Sequence, residues 1–276
     1  MQRAQLALVV LLAAGFALWF AAHSEPTTDW TYCYEPAAEH LLAGESPYRV
    51  GCFFNPPWMP LIAVPFTALG DASFEVWLFA SLIGLALVTL RIGGPWWIVP
   101  LVWLSPPAIS MLRQGQADWL VYLSVVVPPW LGAFLVMLKP QVGIGLAALL
   151  TVRIWRRGGV VDAVRLWFPP LVALAGSLLL WGNWPARASF LPDDPLNISI
   201  WPVGVPVGVV VLFFALRRNS TPLALIAGPL LSPYYNYFSL TGVVLAFVRR
   251  KWLLILLIGV PWLIVSFVLV TRLVLS

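Results

Sequence analysis

The chain is a succession of long apolar runs, several of them closed by arginine, and that alternation leaves it few folds. Gln5 to Ala22 is the first run, Phe74 to Leu90 ends at Arg91, and Leu223 to Val248 ends at Arg249-Arg250-Lys251. At about 1.5 Å of rise per residue, about 20 apolar residues in a helix cross the hydrocarbon core of a bilayer. The composition agrees, with 61% hydrophobic residues, 10% charged and a mean hydropathy of +0.90. Those values lie outside the range of soluble domains. The expectation is an all-α, polytopic integral membrane protein, one transmembrane domain over residues 1–276, with roughly nine or ten membrane segments and a long first external loop.

The net charge of +5 comes largely from arginines in short clusters. Arg153, Arg156 and Arg157 form the strongest of these, and such clusters mark cytoplasmic loops facing anionic lipid. They do not suggest nucleic acid as a partner. Sixteen tryptophans, many beside proline or arginine, suit interfacial anchoring, because an indole joins an apolar body to an N–H that reaches headgroup oxygens. Arg3, the first apolar run and its Ala-Ala ending also have the form of a signal peptide; here they are read as a retained first helix with its N-terminus in the cytoplasm.

Between the first two runs lies a polar island, DWTYCYEPAAEHLLAGESPYRVGCFFNPP from Asp29 to Pro57, which holds both cysteines. Polar chemistry gathered in one loop of a membrane chain marks its working surface, so residues 23–57 are read as the external, functional loop. Within it Glu35 to Ala43 has Pro36 at a first helical turn and Gly44 past its end, which predicts a short interfacial helix. Cys33 and Cys52 flank that helix. They are candidates for a disulfide if the loop is extracytoplasmic, with small apolar fillers as the alternative.

Two threadings of the middle are open. If Pro57 to Leu69 crosses the membrane, Gln116 and Lys139 fall on opposite sides. If it stays at the surface, Arg91 is cytoplasmic and the segments of Gln116, Lys139 and Tyr234 share the outer face with Asp29. The second arrangement gathers the polar groups and is the one expected.

Four places interrupt the hydrocarbon with chemistry. Asp29 follows an emerging helix, where partial desolvation tunes a carboxylate for proton transfer; a solvated charge or helix cap is the plain alternative. Lys139 sits between FLVML and VGIGLAALL, where an ammonium needs an anionic partner such as a phosphate, or else snorkels to an interface. Arg113, Gln114, Gln116 and Asp118 form a polar knot or an ordinary turn. Tyr234, Tyr235 and Asn236 offer hydroxyls and an amide suited to sugars, although an aromatic belt explains the tyrosines alone. Asp193-Asp194 reads as solvation of a distant external loop, and with no paired acidic motif elsewhere no metal is expected.

The order of short motifs resembles glycosyltransferase family 87. Asp29 with Tyr34 comes first, then HLLAGESPY (His40 to Tyr48), NPP (Asn55 to Pro57) and GQADWL (Gly115 to Leu120). LKPQ (Leu138 to Gln141) and SPYYNYFSL (Ser232 to Leu240) complete it. The family comprises polyprenyl-phosphate-sugar-dependent mannosyltransferases and related enzymes of the GT-C membrane superfamily. The resemblance implies a GT-C-like bundle with Asp29 as catalytic base and Gln116, Lys139 and Arg113 on the donor phosphate. Tyr34, Glu35, His40, Tyr48, Asn55, Asp118, Gln141, Tyr234, Tyr235 and Asn236 are then sugar- or acceptor-binding candidates. The family's segment after SP often carries a His or Asp, where this chain has Tyr-Tyr-Asn-Tyr, and this chain is shorter than typical members.

The activity implied is inverting transfer of a mannose, or another hexose or pentose, from a polyprenyl phosphate to an acceptor at the external face of the cell membrane. The acceptor would be a glycan, glycolipid or protein. No cofactor is called for, since the leaving group is a single phosphate. Two other readings stay open: a catalytically silent scaffold subunit in a membrane complex, and a carrier of lipid-linked substrate.

Overall fold

The computed structural model describes residues 3–23, 29–189 and 193–275, with side chains as far as residue 263. Residues 24–28 of the loop read at 23–57 lie outside the described residues. Everything regular in it is helical, with no strand among the described residues. The α-helices run α1 Arg3–His23, α2 Glu35–Leu42, α3 Trp58–Thr67, α4 Ser73–Arg91, α5 Val99–Trp103, α6 Pro106–Arg113, α7 Asp118–Leu123, α8 Pro129–Val136, α9 Pro140–Trp181, α10 Val205–Arg217, α11 Thr221–Leu231, α12 Thr241–Ala246 and α13 Lys251–Leu275. A π-helical turn, Trp30–Tyr34, leads into α2.

Among the described residues three helical segments are long and apolar enough to cross a membrane: Arg3–His23, Gly70–Arg91 and Pro140–Trp181. The apolar runs lead one to expect nine or ten segments; the three take the two arms of α9 as one and α13 only as far as residue 263, and proline shortens several of the other runs. Pro106, Pro129 and Pro140 each open a new helix, where a missing N–H and a fixed φ do no harm. The run from Leu120 to Leu138 is accordingly divided into α7 and α8, and Pro57 to Leu69 yields only the ten-residue α3.

α9 is two helices, 140–158 and 160–181, joined at Gly159, whose φ of 71° suits a residue without Cβ. The Trp167 indole donates to Thr151 Oγ1 at 2.9 Å. In a straight helix those residues would stand about 24 Å apart, so the two arms fold back into a hairpin. Its first arm is held tightly from both sides. A Cβ on Gly143 would fall 2.2 Å from the Val136 carbonyl oxygen, and one on Gly145 2.0 Å from that of Ala224, so glycine there sets how closely α8 and α11 approach.

The bundle has two chemically distinct ends. At one, Arg153 donates to Asn219 Oδ1 at 2.5 Å and Thr221 Oγ1 at 2.9 Å, and it feels the like charges of Arg91 and Arg157. The Arg249 side chain lies against Gly93 at this same end. α4 and the first arm of α9 both finish here, having begun at the other end with Ser73 and Pro140. That other end holds the polar groups. The interior between is apolar, centred on buried Trp30, Trp77, Leu78, Leu82, Met111 and Tyr122. Outward, Leu11, Leu18, Leu179, Leu180, Val207 and Phe213 stand exposed on α1, α9 and α10.

Candidate functional site

Asp29 owes its position to its neighbour. Trp30 is wholly buried, stacked on Trp77 with ring centroids 4.5 Å apart, and donates to Ser73 Oγ at 3.3 Å. Ser73 in turn donates to Glu35 Oε1 at 2.6 Å. The Asp29 backbone N–H donates to the Gln114 carbonyl at 3.2 Å, while Trp77 donates to that of Gly115 at 2.9 Å. The polar island is thus pinned to α4 and to the turn after α6. Among the described residues the Asp29 carboxylate has no hydrogen bond or ion pair.

That carboxylate faces a cavity of about 720 Å³ also lined by Tyr34, Asn55, Gln114, Gln116, Lys139, Gln141, Asp194, Tyr234 and Asn236. Such a volume takes a small organic group or a sugar with part of its carrier. Segments far apart in the chain meet here. Asn55 reaches across to donate to the Leu138 carbonyl at 2.9 Å, fixing the island beside Lys139.

Lys139 is buried, and its ammonium donates to Asp118 Oδ2 at 2.6 Å and to Gln116 Oε1, with the Phe238 ring 5.0 Å away. Asp118 is fully buried and accepts from Ser239 Oγ at 2.5 Å. Gln116 accepts from the Tyr34 hydroxyl at 3.2 Å. The anionic partner that Lys139 requires is therefore built into the protein, and only a third N–H remains for a ligand. Asp118 acts on the cavity through Lys139 and not as a lining group.

Burial pushes the Asp29 carboxyl up to about 6; Lys139 pulls it down and Asp118 raises it further. Burial likewise raises the Tyr34 and Tyr234 hydroxyls, which stay protonated donors, and for Tyr234 the Asp194 carboxylate adds to the effect. Asn236 donates to the Tyr234 hydroxyl at 2.8 Å, while its buried Oδ1 has no partner among the described residues. One end of that amide is left for a ligand.

Several residues named from sequence lie elsewhere. Arg113 ends α6 exposed and outside the cavity lining, because the turn at Gly115, φ 62°, sends its neighbours to different sides. His40 pairs with Glu45 at 2.7 Å, as does Arg49, on the surface of the island. Glu35 is engaged with Ser73, away from the cavity. Tyr48 donates to the Asn55 carbonyl at 3.0 Å and stacks on Trp184, so it supports the wall without forming it. Tyr235 is buried and donates to the Ser239 carbonyl at 2.9 Å. Cys33 and Cys52 are joined, Cα to Cα 5.5 Å, along one side of the cavity.

The sequence reading placed Gln114 in a polar knot without assigning it a role, missed Trp184 and Phe238 as lining residues, and set Asp194 aside as loop solvation although that residue lines the cavity. Asn197, by accepting from the Tyr235 N–H at 3.0 Å, ties the Asp194 loop down. No local signal marks this contact. Among the described residues no cluster of His, Cys, Asp and Glu is suited to a metal ion.

Among the described residues, fold and site together define a helical protein with three helical segments long and apolar enough to cross a membrane and a polar cavity at an end of the bundle. No protein-family model, no curated protein and no solved structure matches the chain.

Proposed function

We propose that the protein is a polytopic membrane glycosyltransferase with a GT-C-like bundle. It moves a sugar from a polyprenyl phosphate to an acceptor hydroxyl at the extracytoplasmic face, with Asp29 as base. The observation that carries this reading is the Asp29 carboxylate, unpaired among the described residues, in the same cavity as Lys139. The basic end of the bundle suits the cytoplasmic side, which puts the cavity opposite. The exposed apolar residues of α1, α9 and α10 suit a lipid boundary better than water.

In the proposed reaction the Asp29 carboxylate takes the proton of the acceptor hydroxyl while that oxygen attacks the anomeric carbon. The bond from that carbon to the phosphate oxygen breaks with inversion, and the phosphate leaves with the electron pair. Lys139 offers its third N–H to the leaving oxygen and stabilises the charge that grows there. Tyr234, the open end of Asn236 and Gln141 supply hydrogen bonds of the kind a sugar satisfies. The bilayer holds the polyprenyl tail. Arg113, being outside the cavity, has no part in this scheme.

One observation favours the silent-scaffold alternative. Asp118 already neutralises Lys139, so the cavity holds no uncompensated cation for a phosphate. Transfer of radiolabelled sugar from polyprenyl phosphate in membranes separates the two. General-base catalysis is worth roughly 10² to 10⁴ in rate, and Asp29→Asn should lower turnover by that much with donor binding unchanged. A correctly inserted Asp29→Asn protein that transfers sugar at the wild-type rate would overturn the mechanism, and a wild-type protein that transfers none would favour the scaffold.

A further inference from the structure

The hinge of α9 carries a second cavity, of about 500 Å³, and its chemistry is the opposite of the first. Trp155 of the first arm forms one wall. Val160, Ala163, Val164, Trp167, Phe168 and Leu171 of the second form the rest, and their three- and four-residue spacing puts them on one helical stripe. Trp155 is 55% and Phe168 64% exposed, so nothing described in this chain covers the crevice. The Trp167 N–H is satisfied by Thr151, which leaves the indole to present an apolar surface.

The chain next to Trp155 carries cations with no counter-ion among the described residues. Arg156 and Arg157 follow Trp155 directly, are exposed and make no ion pair among the described residues. Arg153, one turn earlier, is committed to Asn219 and Thr221. Asp162 is the nearby carboxylate, and it pairs with Arg165 at 3.3 Å. The first arm, 140–158, measures about 28 Å, close to the thickness of a bilayer's hydrocarbon core, so the hinge falls where lipid headgroups begin.

From this juxtaposition we infer that the α9 hinge is a binding site for an anionic phospholipid, its acyl chain in the crevice and its phosphate on Arg156 and Arg157. A free phosphate has nothing to place among Trp155, Val164 and Phe168. A zwitterionic lipid fills the crevice but brings its own cation to the arginines. An acidic amphiphile satisfies both halves of the site. The inference rests on the chain crossing a bilayer and not on the transferase reading, so it stands or falls separately from Asp29.

The test uses the full-length protein purified in detergent and titrated with phosphatidylglycerol or phosphatidylcholine, bound lipid being counted by native mass spectrometry. Two arginines on one phosphate should give the wild type a preference of at least about tenfold for phosphatidylglycerol. Arg156→Gln with Arg157→Gln should abolish that preference and leave phosphatidylcholine binding unchanged. Arg156→Lys with Arg157→Lys should retain it. Ala163→Trp, which fills the crevice while keeping the charges, should lower occupancy by phosphatidylglycerol. Equal binding of the two lipids by the wild type, or a preference that survives in the glutamine variant, overturns the inference. So does a purified dimer whose interface cross-links through the crevice, which would assign the face to a second copy.

Discussion

The Lys139 ammonium, on the wall of the polar cavity, stands 2.6 Å from the Asp118 carboxylate buried behind it. Removing one partner of a buried pair strands the other charge, at a typical cost of about 3 to 5 kcal/mol, whereas replacing both is far milder. Asp118→Asn and Lys139→Met should each lower the thermal midpoint in detergent substantially. The double variant should recover most of the loss. Single variants whose losses simply add in the double would show that the two charges do not depend on one another.

A carboxyl held at about 6 fixes the pH behaviour of the site. In the proposed transfer Asp29, as the base, must be ionised, so the rate should rise about tenfold per pH unit below 6 and level off above it. Asp29→Asn should remove this limb from whatever activity remains. A wild-type profile flat between pH 5 and 7 would rule Asp29 out as the titrating base.

Stability should run the other way. The folded value of about 6 lies above the ordinary 3.8, so Asp29 favours the fold when protonated. That contribution is complete below about pH 4 and is lost as pH rises through 6. Asp29→Asn should therefore be more stable than wild type at pH 7, by on the order of 1 kcal/mol, and match it near pH 4. Unfolding followed at both pH values checks this. A variant destabilised at pH 7 would mean that the carboxylate is held by a contact the structure does not contain.

The polar interruptions of apolar runs were the legible part of the site. Asp29, Gln116, Lys139 and Asn236 each break a hydrophobic stretch, and a buried polar group in such a chain has to find company somewhere. Which company they find was not legible. Lys139 reads as a cation in want of an anion, but nothing local says that Asp118, in another helix, supplies it. Asp194 and Trp184 reach the cavity through a loop closed by Asn197 on the Tyr235 backbone, a contact between segments with no periodic pattern. Arg113 and Gln116 sit in one polar turn, and only the left-handed Gly115 decides that Gln116 turns inward. Hydrophobic runs likewise signalled helices correctly, while prolines at the openings of α6, α8 and α9 determined how short the pieces would be.

Gly145 offers a test of how closely the bundle is drawn together. Any Cβ there would lie 2.0 Å from the Ala224 carbonyl oxygen, a backbone atom with no rotamer to change. Gly145→Ala should push α11 away from the first arm of α9 and destabilise by about 1 to 3 kcal/mol, the usual range for overpacking. Gly176→Ala, which meets nothing within 4 Å, is the matched control and should be neutral or slightly stabilising. Equal midpoints for the two variants would show that α9 and α11 are not packed this closely.

The Cys33–Cys52 bond links the turn that carries Asp29 to the strip that carries Asn55, the cysteines being 19 positions apart in sequence. A cross-link closing a loop of that size contributes about 3 kcal/mol in the chain-entropy model. The larger effect should be local, because Asp29 is otherwise held by one backbone hydrogen bond to Gln114 and by the buried Trp30. Cys33→Ser with Cys52→Ser should lower the thermal midpoint and, by loosening the turn, reduce sugar transfer more than donor binding. Reducing agent should act on the wild type in the same direction and leave the double serine variant unaffected. A gel shift on reduction, present in wild type and absent in the variant, verifies the bond itself. Unchanged transfer and midpoint after reduction that the gel shows to be complete would mean that Trp30 and the Gln114 carbonyl hold Asp29 without help.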